Sequence, residues 1–183
     1  MGEDPEDQGD DDLRELRFER LEFEQMYREA VDEGDRAKRA LDDVILEFLF
    51  RGDVIRVMVG ERAWTGTVTH VGSELMTLET PAGIAVDLGF GGLSAIRVVE
   101  RSPSGGRGLA GPHPGAMVAR LRELALTGEL VEIGGQTLRP PLEGTVAAVA
   151  DSHAEFRGRD GGEWIVPLAS IHFVVRQPAN GRP

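Results

Sequence analysis

Gly66-Thr67-Val68-Thr69-His70-Val71-Gly72-Ser73-Glu74-Leu75-Met76-Thr77-Leu78 decides the fold, because the chain says it twice. The second version is Gly144-Thr145-Val146-Ala147-Ala148-Val149-Ala150-Asp151-Ser152-His153-Ala154-Glu155-Phe156, 78 residues on, without a gap and with the apolar positions in step. A duplicated supersecondary unit sets the architecture before any single residue is interpreted. A weaker echo follows each copy. Leu93 to Val99 answers Leu168 to Val174 at a spacing of 75 residues, which predicts a connection about three residues shorter in the second copy.

Working outward, the chain around the first copy alternates as half-buried strands do, with glycine and proline between the runs. Strands are expected at Val54–Val59, Trp64–Val71, Leu75–Thr80, Ile84–Leu88 and Ala95–Val99. Around the second copy they are expected at Leu130–Ile133, Leu142–Ala150, His153–Arg157, Glu163–Pro167 and Ser170–Val175. Before each set the period changes to that of a helix. Ala37, Leu41, Val44, Ile45, Phe48 and Leu49 form one apolar stripe, and Met117–Leu126 forms the other. Gly52 and Gly128 stop these helices 76 residues apart, so the helix belongs to the repeat. Five short strands behind one amphipathic helix hide their sheet edges most economically by closing into a small barrel.

The remaining segments set the domain boundaries. Residues 1–34 comprise an acidic stretch too poor in apolar side chains to order itself, then a first helix carrying Phe23, Met26, Tyr27, Ala30 and Val31. That helix could pack on the next as a hairpin or pair with another chain as a coiled coil, since Leu16, Phe23, Ala30, Ala37 and Val44 share a seven-residue spacing. Residues 35–100 are the first helix-plus-barrel module, and 101–115 a glycine- and proline-rich linker. Residues 116–176 are the second module, and 177–183 a loose tail. The expected fold class is therefore mainly β with N-terminal helices, two tandem five-stranded barrels each preceded by a helix.

Charge divides the chain unevenly. Residues 1–50 hold 18 acidic and 7 basic residues, whereas the remaining 133 hold 14 and 13, so the head carries nearly all of the net charge of −12. Proteins that neutralise phosphates carry a basic excess, which neither part has. The absence of cysteine excludes disulfides and thiolate metal sites. With no signal-like start and no long apolar run, a cytoplasmic protein without membrane contact is expected.

Helix, then five strands with a Gly-x-Val entry into a bent second strand, resembles the Sm-like (LSm and Hfq) family of small SH3-like barrels. Val57–Leu78 and Leu93–Val99 look like its two motifs in the first copy, and Leu130–Phe156 and Pro167–Val174 in the second. With its acidic helical head, the chain is also similar to a group of uncharacterised actinobacterial proteins. The resemblance implies barrels that associate through their fourth and fifth strands, either within the chain or as a homo-oligomer, and an RNA-binding function. The base-reading asparagine of the family falls on Thr77, after Met76, and the second motif's Arg-Gly appears as Arg97-Val98. In the second copy His172-Phe173 takes that place.

No chemical constellation competes with these features. His70, His113, His153 and His172 show no ligand spacing, so neither metal nor cofactor is expected. The serines sit at turns, with no nucleophile elbow. Gly89-Phe90-Gly91-Gly92 leads into a strand, not a helix, and lacks the helix N-terminus that cradles phosphate. A non-enzymatic scaffold or adaptor for a protein partner is expected, with an RNA- or DNA-binding regulator as the alternative. The candidate contact residues are Met76, Thr77, Phe90, Arg97, Arg157 and Trp164.

Overall fold

The computed structural model describes residues 40–103 and 115–176. The acidic stretch and helix expected in residues 1–34, residues 104–114 of the linker and the 177–183 tail lie outside the described residues.

Helix α1 (Leu41–Arg51) buries Ile45 and Leu49, four residues apart on one face. Asp42 and Asp43 in its first turn and Arg51 in its last both favour the helix dipole. Helix α2 (Met117–Thr127) buries Leu121 and Leu124. Gly52 and Gly128 end them in left-handed conformations, φ 70° and 64°.

Each helix leads into five strands. The first set is β1 (Val54–Val59), β2 (Arg62–Val71), β3 (Leu75–Glu79), β4 (Ala85–Gly89) and β5 (Ala95–Glu100). The second is β6 (Val131–Gly134), β7 (Leu142–Val149), β8 (His153–Gly158), β9 (Glu163–Pro167) and β10 (Phe173–Arg176). The mainly β reading, with a helix before each set, holds. Where two separate barrels were expected, however, hydrogen bonding runs on from one set to the other. All ten strands form a single antiparallel sheet, order β5-β1-β2-β3-β4-β10-β6-β7-β8-β9, which does not close.

The repeat persists in atomic detail. The β2–β3 ladder shifts register between Val68 and His70, and the β7–β8 ladder shifts between Val146 and Ala148. Such a bulge bends a strand and increases its twist. Two residues before each bulge the neighbouring strand leaves no room for a side chain. A Cβ on Gly66 would lie 2.1 Å from the Glu79 carbonyl oxygen, and one on Gly144 would lie 2.0 Å from that of Arg157.

The expected shortening of the second copy does not occur. Short 3-10 turns, Phe90–Gly92 and Leu168–Ser170, follow β4 and β9, and two residues separate each from the next strand. Val57 pairs with Ile96, and its counterpart Ile133 pairs with Val174, so the final strands remain 78 residues apart. Arg97 therefore corresponds to Val175, not His172. The spacing of 75 arose because Leu168-Ala169-Ser170-Ile171 resembles Leu93-Ser94-Ala95-Ile96 in composition, although Leu168–Ser170 is a turn.

Two apolar clusters form the core, one for each set. Strand β10 serves both: Phe173 packs in the first cluster and its neighbour Val174 in the second. Alternation along a strand sends successive side chains to opposite faces, so one strand seals two cores.

Candidate functional site

The seam between the two sets is the most chemically distinctive place in the molecule. Strand β4 pairs antiparallel with β10, Leu88 opposite Phe173 and Asp87 opposite Val174. Gly89 N donates to the His172 carbonyl at 2.9 Å and extends the ladder by one bond. Asp87 is fully buried. Its Oδ2 lies 3.0 Å from Arg120 Nε of α2 and 3.0 Å from Arg176 Nε of β10. Thr77 Oγ1 donates to Asp87 Oδ1 at 2.6 Å, and Arg176 Nη2 to the same oxygen at 3.4 Å. Arg120, only 1% exposed, is also paired with Glu123.

This arrangement holds the two halves in one register. A carboxylate taken from water loses several kcal/mol of hydration, which only close counter-charges restore. Two arginines from the second set supply them to an aspartate from the first, and sliding β10 along β4 would strand the aspartate. Around the seam, Arg62 pairs with Glu132 at 2.7 Å and Arg139 with Glu61 at 2.6 Å. The Phe173 ring lies 4.8 Å from that of Trp64. His172 is occupied here too: its ring lies where a Gly92 side chain would be, and its Nδ1 accepts from Gln136 N at 3.2 Å.

The two outermost strands differ from the seam. On β9, Trp164 is 46% and Ile165 67% exposed, beside fully buried-type Val166. On β5, Ala95, Arg97 and Val99 face outward while Ile96 and Val98 pack on the first core. Neither edge is covered by another strand.

The candidate contact residues divide accordingly. Met76 lies wholly in the first core and Thr77 is spent on Asp87, so neither offers a surface to a partner, a correction to the expected contact set. Their strand is flanked on both sides by β2 and β4, which the spacing of motif residues does not disclose. Phe90 packs against the first core from its turn. Arg157 and Trp164 come together on neighbouring strands and line a shallow cleft of about 100 Å³ with Glu155 and Ile165. Arg97 is exposed on β5, at the other end of the strand order. Asp87, Arg120, Arg176 and Ile165 were missed. A lone aspartate inside the apolar run Ile84-Ala85-Val86-Asp87-Leu88 was the available signal.

A cleft of about 470 Å³ near Gly66 and Thr80 has Glu79 as its one ionisable lining residue among the described residues. Another, of about 440 Å³, lies between the two 3-10 turns and contains Glu74 and the His172 already engaged in the seam. Among the described residues no group of three or more His, Cys, Asp or Glu is placed to hold a metal, and no helix is long and apolar enough to cross a membrane. No family model, curated protein or solved structure was found to match the chain.

Proposed function

We propose that the protein is a non-enzymatic scaffold, built from two tandem Sm-like modules, that takes a protein partner along the edge of its sheet. One observation carries the reading: β9 is an edge strand, paired with β8 on one side only, that presents Trp164 and Ile165 to solvent. Unpaired backbone N–H and C=O groups on such a strand recruit an extended segment, and an exposed aromatic is a favoured anchor for it. Each half supports the Sm-like reading through its strand order, β5-β1-β2-β3-β4 in the first and β10-β6-β7-β8-β9 in the second. A closed barrel belongs to that reading.

Nucleic-acid regulation is less well supported. Thr77, at the family's base-reading position, is buried and hydrogen-bonded within the chain. Three exposed arginines, Arg139, Arg157 and Arg159, face Glu61, Glu163 and Glu143 at 2.6, 3.9 and 3.5 Å, which lowers the positive potential they offer to phosphates. Fluorescence anisotropy with labelled single-stranded RNA tests the choice, on the full chain and on a variant beginning at residue 40. Neither is expected to bind at physiological salt. Tight binding by the shorter chain, weakening steeply as salt rises, would overturn the scaffold reading in favour of a regulator with an acidic head as its shield.

A further inference from the structure

Every described arginine but three is in an ion pair. The three are Arg56, Arg97 and Arg101, which lie on β1, on β5 and just beyond the end of β5. Arg56 and Arg97 stand directly opposite each other in the β1–β5 ladder, and both are exposed. Like charges so placed repel and cost the sheet stability. On its other side Arg56 faces Thr65 of β2, so neither neighbouring strand brings a carboxylate to it. Apolar side chains bound the pair along the strands. Met58, 39% exposed, stands opposite Ala95 at one end, and Val99, 54% exposed, lies two residues past Arg97 at the other.

The second set shows how the matching place is used there. By the repeat Arg56 corresponds to Glu132 and Arg97 to Val175, which stand opposite each other in the β6–β10 ladder. Glu132 meets an opposite charge from the first set, Arg62 at 2.7 Å, and Val175 packs against the first core. The face that is covered in the second set is therefore open in the first, and its charge is reversed.

We infer that the outer face of β1 and β5 binds an acidic segment of another protein, with an apolar side chain on each side of the acid. The carboxylate is taken between Arg56 and Arg97, whose planar forks suit it and whose mutual repulsion it relieves. The flanking apolar side chains rest on Met58 and Val99. A second copy of this chain does not supply such a segment from the matching surface. Trp64 corresponds to Leu142, so the place of Arg62 is taken by Pro140, which has no charge to meet Arg56. Nor does the face suit a nucleic acid, since a pair of guanidiniums between apolar side chains is not a stripe that follows a phosphate backbone. The face lies at the opposite end of the strand order from β9, so it goes beyond the scaffold reading and does not depend on what β9 takes.

Fluorescence anisotropy on the full chain tests this with the labelled peptide Leu-Ser-Glu-Ser-Leu-Ser-Glu-Ser-Leu. When extended, the peptide alternates apolar and acidic side chains along one face. Binding is expected, weakening as salt rises. An Arg56→Glu, Arg97→Glu variant should lose it at least tenfold and should take up the peptide in which lysine replaces both glutamates. That gain also shows the variant to be folded. Arg159→Glu, in the β8–β9 turn, should leave binding unchanged, and Arg97→Thr should leave the thermal midpoint at or above that of the wild type. No binding of the acidic peptide at millimolar concentration would overturn the inference. So would equal binding by the charge-reversed variant, or an equal loss in Arg159→Glu, since net charge alone would then account for the effect. Displacement of the bound peptide by single-stranded oligouridine would also overturn it and assign the face to nucleic acid.

Discussion

The inner seam and the outer edges descend from one structural unit, yet they solve opposite problems. At the seam β4 and β10 are paired and Asp87, Arg120 and Arg176 are brought together; away from it the equivalent positions are Ile165, Val44 and Val98, and Ile165 is exposed. Buried charges add little net stability against well-packed apolar residues, but they penalise every wrong register heavily. A permanent joint, formed once as the chain folds, can bear that cost in exchange for uniqueness. At an open edge charges would stay hydrated and resist pairing, so an exposed Ile165 on a short strand leaves that edge open to pairing where the seam's charges would close it.

The sharpest way to break this contrast is at the seam. Asp87→Ala leaves Arg120 buried beside no carboxylate but Glu123, and should cost about 3–5 kcal/mol of unfolding free energy. The equivalent Ile165→Ala should change the stability of a single chain by no more than about 0.5 kcal/mol. Urea denaturation of both variants measures the difference, and equal losses would show that Asp87 does not hold the joint.

Substitutions at the matched bends come next in size. Gly66→Ala and Gly144→Ala each force a Cβ into a carbonyl of the neighbouring strand, and each should cost about 1–3 kcal/mol. Because Phe173 seals the first core from the second set, both losses should appear in one cooperative calorimetric transition. Two separated transitions would mean that the halves fold independently of the seam. The smallest effect belongs to the rim: Glu61→Gln removes an exposed ion pair with Arg139 and should cost at most about 1 kcal/mol, shrinking further in high salt. A larger loss would place the lock at the rim and away from Asp87.

Much of the fold was legible because strand and helix periods are local. Glu163–Pro167 and Val54–Val59 were readable to the residue, and Gly52 and Gly128 marked their helix ends. Alignment of the last strand failed because Leu168-Ala169-Ser170-Ile171 repeats the composition of Leu93-Ser94-Ala95-Ile96, although Leu168–Ser170 is a turn. The candidate site was less legible. Arg157 and Trp164 are exposed whereas Met76 and Thr77 are buried, since exposure depends on which strands lie on either side. Nothing local to Arg120 announces that it meets Asp87, because the two are brought together only by the pairing of β4 with β10.

By itself the sequence determined that this protein is a helix and five strands made twice, with the bends at Gly66 and Gly144 in the same place in each copy. Hydrophobic period and steric exclusion act over a few residues, so they can be read from a few residues. Only the tertiary structure decided that the copies share one sheet, that Phe173 belongs to the other copy's core, and which edges are left open. Those outcomes depend on burial of charge and on hydrogen-bond pairing across 89 residues of chain, from Asp87 to Arg176. Energies of that kind are set by what a residue meets, not by its neighbours in sequence.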